Sequence, residues 1–254
     1  MHFPKIPQYI GITDFDTAKQ SEKMVSLVPI DSQQSLMVGV MTSYKVLNGE
    51  KSSWSKVWLK PDDLYKPFID HPKAFNTLHW ADYEGNTSIG DLITAAELSG
   101  ENLRAIQLDM IWPDPNLVYS FVKHRRIPVI LQVGRKAMEK AGGTARKVSE
   151  RLDQYGEALG GVLLDMSGGE GIPLDAKFLS PFVRTISKQN QNLRIAVAGG
   201  LGPKTLNLVT PLLDEYPRLS IDAQGQLRKS GDSRKPIDWD LASLYLSRAL
   251  NLFP

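Results

Sequence analysis

The sequence predicts a single (β/α)8 barrel spanning residues 1–254, on the strength of three observations. Eight aliphatic or β-branched runs alternate with segments of helical apolar spacing, and right-handed βαβ linkage of that number closes most economically into a barrel at this length. Glycine-rich turns cluster late in the chain, at Gly168-Gly169-Glu170-Gly171 and Gly199-Gly200-Leu201-Gly202, where barrels commonly bind phosphate. The first strand-to-helix turn lacks a G-x-G-x-x-G fingerprint, which counts against the alternative, an open doubly wound sheet.

Tyr9 to Thr13 reads as the first strand, with Thr13 or Asp14 capping a helix that buries Phe15, Ala18, Val25 and Val28. Leu36 to Met41 is the second strand. The polar, aromatic stretch Thr42 to Lys60 after it, with Trp54 and Trp58, is long enough for a functional loop. Pro61 to Ile69 reads as a short helix and Phe75 to Trp80 as the third strand. Ser88 caps a helix with Ile89, Leu92, Ile93 and Ala96 on one face, and Gly100 ends it. Leu103 to Met110 is the fourth strand, and Asp114-Pro115 opens a helix burying Leu117, Val118, Phe121 and Val122. Ile127 to Val133 is the fifth strand, and Arg135 to Ala158 is helical with a break at Gly142-Gly143. The stretch Gly161 to Gly171 holds the sixth strand, with the apolar run Val162 to Leu164 in the sheet and Asp165 at its carboxyl end; Leu193 to Ala198 is the seventh and Leu219 to Asp222 the eighth. Between and after them run helices through Phe178, Phe182 and Ile186, through Leu206, Val209, Leu212 and Leu213, and from the Asp238 cap through Leu241, Ala242, Leu244, Tyr245 and Ala249.

A formal net charge of +2 without a basic run argues against nucleic acid or an anionic membrane as partner and leaves a small molecule as the default. Cysteine is absent, which excludes disulfides, thiolate metal sites and thiol nucleophiles and fits a reducing compartment. No stretch of about 18 apolar residues occurs, so a soluble cytoplasmic protein is expected. The oligomeric state is not specified.

In a barrel the carboxyl ends of the strands converge on one face. The residues placed there are Thr13 and Asp14, Ser43 and Lys45, His79 and Asp82, Gln107 and Asp109, Gln132 and Arg135, Asp165 and Ser167, and Asp222 and Gln224. Asp165 stands out, because a carboxylate after a fully apolar strand must face a ligand or be satisfied by nearby donors. Asp109 is a second candidate acid or base, and His79 would add an imidazole titrating near neutrality, although a strand-end histidine also serves structure alone. These three lack diagnostic metal spacing, so no metal and no cofactor are expected. Backbone N–H groups at Gly168, Gly169, Gly171, Gly199, Gly200, Leu201 and Gly225 could cradle a phosphate. Trp54, Trp58 and Trp112 could cover an aromatic ligand or equally plug the barrel mouth.

Several of these patches resemble phosphoribosylanthranilate isomerase, the (β/α)8 enzyme of tryptophan biosynthesis. They are Gly11-Ile12-Thr13, Gln107-Leu108, Leu163-Leu164-Asp165 with its glycine loop, Ala198-Gly199-Gly200-Leu201 with Pro203, and Ser220-Ile221-Asp222 before Gly225. The resemblance implies Asp165 as the general acid of an Amadori rearrangement, and Lys45, Gln107, Arg135 and Asp222 around the substrate. The family's proton-abstracting cysteine precedes the first-strand glycine, and Ile10 stands there. Lys45 replaces a substrate-binding arginine, keeping charge but losing its bidentate fork, and Asp109 replaces a histidine. The implied function is isomerisation of a phosphorylated sugar-type metabolite, with Asp109 or His79 as substitute base. The alternative is a divergent barrel that binds a phosphorylated ligand or a protein partner without this catalysis.

Overall fold

A computed structural model describes residues 5–52, 57–167 and 172–253. Eight parallel strands close in chain order, and the eighth returns to pair with the first. They are β1 (Tyr9–Thr13), β2 (Ser35–Ser43), β3 (Ala74–Ala81), β4 (Ala105–Asp109), β5 (Val129–Gly134), β6 (Leu159–Asp165), β7 (Arg194–Ala198) and β8 (Ser220–Ala223). The helices are α1 (Ala18–Val25), α2 (Tyr44–Leu47), α3 (Ile89–Leu98), α4 (Pro115–Arg125), α5 (Arg135–Lys140), α6 (Ala145–Asp153), α7 (Ala176–Gln189), α8 (Thr210–Glu215) and α9 (Trp239–Leu250). This is a (β/α)8 barrel, as the alternation predicts. Among the described residues no helix is long and apolar enough to cross a membrane.

Local chemistry sets the helix ends. Ser88, Asp114 and Asp238 accept from the N–H groups of Asp91, Asn116 and Asp240, filling the cap roles their residue types predict. Gly142 and Gly143, at φ 102° and 72°, break the long helical segment into α5 and α6. Two expectations are corrected. Helix α1 is capped by Thr17, in a box with Gln20, rather than by Thr13 or Asp14. Asp14 has φ 84° and its carboxylate is taken by Arg228 and Gln224, so it cannot cap. The segment from Pro61 forms only the 3-10 turn Pro61–Asp63.

Side chains alternate across each strand and build two apolar layers. Ile10, Ile12, Val38, Leu78, Ile106, Leu164, Val197 and Ile221 pack outward against the helices. Tyr9, Met37, Phe75, Ala105, Ile130, Leu163 and Ala196 fill the barrel itself. A fully buried side chain of this size contributes roughly 1.5–3 kcal/mol, so the two layers are a main source of the sheet's stability. The phase of β1 decides which of its side chains can reach the interior. Ile10, aligned by resemblance with a proton-abstracting cysteine, belongs to the outer layer, and the inward positions are Tyr9, Gly11 and Thr13.

A buried ion pair ties the two ends of the sheet. Arg228, 3% exposed, donates to Asp14 in the β1–α1 loop and to the carbonyl of Lys235 at 2.7 Å. Gln224 Nε2 donates to the same Asp14 oxygen at 3.0 Å.

Candidate functional site

The inward residues change character toward the carboxyl ends of the strands. Above the apolar filling come Thr13, His79, Gln107, Asp109, Gln132, Asp165 and Asp222, and they line a cleft with Tyr83, Trp58, Ser167 and the turns at Gly199 and Gly225. The strand register places Gly134, Asp165, Ala198, Asp222 and Gly11 side by side. Asp165 and Asp222 are therefore two strands apart, about 10 Å between Cα atoms at roughly 4.8 Å per strand. Only the methyl of Ala198 stands between them, and glycines flank them.

Gly11 makes room for Asp222. A Cβ on Gly11 would lie 2.3 Å from Asp222 Oδ1, so the β8 carboxylate occupies the space an inward β1 side chain would fill. Thr13 Oγ1 donates to the same oxygen at 3.4 Å. Burial, and then the charge of Asp165, push the Asp222 carboxyl up to about 7. Asp109 is raised to about 6, chiefly by burial; the phenol of Tyr83 donates to it and works against the shift, while Asp165 adds to it. Asp165 itself accepts from the Ser167 N–H and Oγ, both at 2.8 Å, and from Gln132 Nε2 at 3.1 Å.

A chain of side chains runs from Asp165 across the cleft floor. Gln132 Nε2 donates to Asp165, Gln107 Nε2 donates to Gln132 Oε1 at 3.1 Å, and Gln107 Nε2 also meets His79 Nδ1 at 3.1 Å. His79 Nδ1 is thus an acceptor and its proton sits on Nε2, which faces the sulfur of Met37 at 3.4 Å. Burial lowers the imidazole to about 3, so His79 is neutral in the working pH range. Gln107 is 1% exposed, and its Oε1 has no hydrogen-bond partner among the described residues.

Other expected site residues fall differently. Lys45 lies on α2, capped by Ser43 directly after β2, and pairs with Glu84 rather than lining the cleft. Arg135 begins α5 immediately after β5 and is exposed outside the cleft lining. Asp82 accepts from Glu84, Gly85 and Thr87, so it serves as a loop anchor. Gly199 and Gly200 line the cleft at φ 137° and 53°, and Gly225 opens the one-turn helix Gly225–Leu227 beside them. Gly168, Gly169, Gly171 and Trp54 lie outside the described residues. Tyr83, 68% exposed over the mouth, was not expected, although its position two residues past the end of β3 is a usable signal. Among the described residues no group of three or more His, Asp or Glu is placed to hold a metal ion.

Fold and site together define a (β/α)8 barrel with a polar, carboxylate-lined cleft at the carboxyl ends of its strands, the face on which such barrels carry ligand sites. No family model matches the chain. No curated protein matches it either. Among solved structures it is similar to generated monomers of the dimeric phosphoribosylanthranilate isomerase of Thermotoga maritima, with 15% identity and TM-score 0.62 over 96% of this chain and 100% of that one. It is also similar to TrpF of Jonesia denitrificans, with 16% identity and TM-score 0.57 over 96% and 98%. A Chromobacterium violaceum barrel assigned to spore coat polysaccharide biosynthesis, protein E, aligns at 11% identity and TM-score 0.60 over 97% and 75%. At these identities the likeness is one of fold.

Proposed function

We propose that this barrel is an enzyme acting on a phosphorylated, sugar-type small metabolite by aldose–ketose isomerisation, of the kind its resemblance to phosphoribosylanthranilate isomerase implies. The observation that carries the reading is the pair Asp165 and Asp222, held at one level of the barrel with only Ala198 between them. A proton shift between adjacent carbons needs one group to give a proton and another to take one, and two carboxylates in unlike surroundings supply both. Asp165 accepts from Ser167 and Gln132, whereas Asp222, raised to about 7, keeps a proton near neutrality. That assigns Asp165 the base and Asp222 the acid, the reverse of the acid role the resemblance implies for Asp165. His79 is unsuited as a substitute base, since its lone pair is already taken by Gln107. The phosphate is assigned to the N–H groups of the Gly199–Leu201 turn and the Gly225 turn, whose place in the cleft lining supports it.

The alternative, a barrel that binds such a ligand or a protein partner without catalysis, draws on the absence of Lys45 and Arg135 from the cleft. Phosphoribosylanthranilate and a panel of aldose phosphates separate the two, followed by loss of fluorescence and by proton NMR. Turnover that vanishes in Asp165→Asn and in Asp222→Asn supports the enzyme. Thermal stabilisation by sugar phosphates with no turnover of any of them leaves the binder.

A further inference from the structure

We infer that Thr205 and Arg228 are positioning residues for the ligand's phosphate: each holds a backbone carbonyl so that the N–H of the same peptide is turned toward the cleft. This rests on the phosphate reading above and adds what keeps the two turns in a binding shape.

The peptides concerned are Gly199–Gly200, Gly200–Leu201 and Gln224–Gly225. No cis peptide occurs among the described residues, so the C=O and N–H of each point in opposite directions. Each of the three carbonyls is taken. Gly199 O accepts from the Leu174 N–H at 3.0 Å, Gly200 O from Thr205 Oγ1 at 2.7 Å, and Gln224 O from Arg228 Nη1 and from the Leu227 N–H at 3.2 Å. The N–H groups on the far side of these peptides belong to Gly200, Leu201 and Gly225. They have no acceptor among the described residues, and all three residues line the cleft. Three such donors around one space suit an anion with several oxygens.

Local structure alone explains neither side chain. Thr205 stands at the cap position of the 3-10 turn Leu206–Leu208 yet makes no side-chain cap bond, and its hydroxyl reaches back to Gly200 O and, at 3.4 Å, to Gly202 O. Arg228 is a buried guanidinium, and the carboxylate that meets its charge is Asp14, a non-glycine residue held at φ 84°. A buried charge and a strained backbone are each unfavourable in isolation, and what they hold in place is the Gln224–Gly225 peptide. Because Asp14 neutralises Arg228, the guanidinium acts on an anion through the peptide it orients rather than through its own charge.

Isothermal titration of the full chain at pH 7 with inorganic phosphate and with glucose 6-phosphate tests the inference. Thr205→Val, close to threonine in shape but without the hydroxyl, should weaken both ligands about tenfold, the weight of one net hydrogen bond, with the barrel folded by circular dichroism. Thr205→Ser, which keeps the hydroxyl, should restore the wild-type affinity. Arg228→Lys keeps the positive charge but loses the planar fork, and should weaken both ligands as well. Wild-type affinity in Thr205→Val, or a loss that Thr205→Ser does not repair, overturns the inference for Thr205. Wild-type affinity in Arg228→Lys overturns it for Arg228, and both results leave the phosphate reading standing. Failure of the wild type to bind either ligand overturns the phosphate reading and the inference with it.

Discussion

Replacing Asp222 by asparagine should flatten part of the pH dependence of folding stability. The carboxyl is 7% exposed and is raised from an ordinary 3.8 to about 7 by burial and by Asp165. Below pH 4 it is protonated in both folded and unfolded chains and contributes no difference. Between about pH 4 and 7 the unfolded chain releases its proton while the folded one holds it, so stability falls as pH rises, and the loss is complete above about 7. Roughly three pKa units at 1.36 kcal/mol each make this loss about 4 kcal/mol. Asparagine, with no proton to release, should gain about that much on the wild type between pH 4 and 8, whatever constant offset its amide introduces at Thr13. Urea unfolding of both proteins at pH 4.5, 6 and 7.5, followed by circular dichroism, reads the difference directly. Parallel stability curves for the two would refute the assignment of a buried, proton-holding carboxyl to position 222.

Gly11→Ala should cost about 1–3 kcal/mol, because its methyl would fall 2.3 Å from Asp222 Oδ1. The same change in an Asp222→Ala background should cost well under half of that by urea unfolding, and equal costs would show that the carboxylate does not fill the space. Arg228→Met should strand Asp14 as a buried uncompensated charge at about 3–5 kcal/mol, lowering the melting temperature by roughly 10 °C in a chain of this size. An unchanged melting temperature would place that pair outside the folded core.

The eight strands were legible because strands buried on both faces of a parallel sheet read as continuous apolar runs. That same continuity hides which face each residue takes. Tyr9-Ile10-Gly11-Ile12 is apolar or small throughout, so sequence alone could not tell that Ile10 points out and Gly11 in. Helix caps such as Ser88, Asp114 and Asp238 were legible because the bond they make is local. The α1 cap was missed although Thr17 and Gln20 spell out a capping box, since Asp14 is an equally good cap by type. What removed Asp14 was Arg228, 214 residues away, a partner no local pattern discloses. The strand-end placement of Asp109, Asp165 and Asp222 was predicted, but their unlike environments depend on which donors the barrel brings to each. Lys45 and Arg135 were misplaced for a simpler reason. A helix begins directly after each strand, and neither residue enters the cleft lining: Lys45 pairs with Glu84, and Arg135 is exposed.

The amide chain on the cleft floor links the state of the histidine to that of Asp165. If His79 took up a proton, Nδ1 would become a donor and would face the donor Nε2 of Gln107. Relief would require Gln107 to turn over, which sets its oxygen against Gln132 Oε1 and forces that amide to turn as well. Gln132 would then point an oxygen at Asp165 Oδ2, a contact tolerated only if Asp165 were protonated. A neutral His79 and an Asp165 that accepts from Gln132 are thus two ends of one hydrogen-bond arrangement. Burial alone disfavours the imidazolium, and the amides add a directional constraint that burial does not. Before a ligand enters, the carboxyl that still holds a proton near neutrality is therefore Asp222, which that chain does not reach, with Asp109 raised less far.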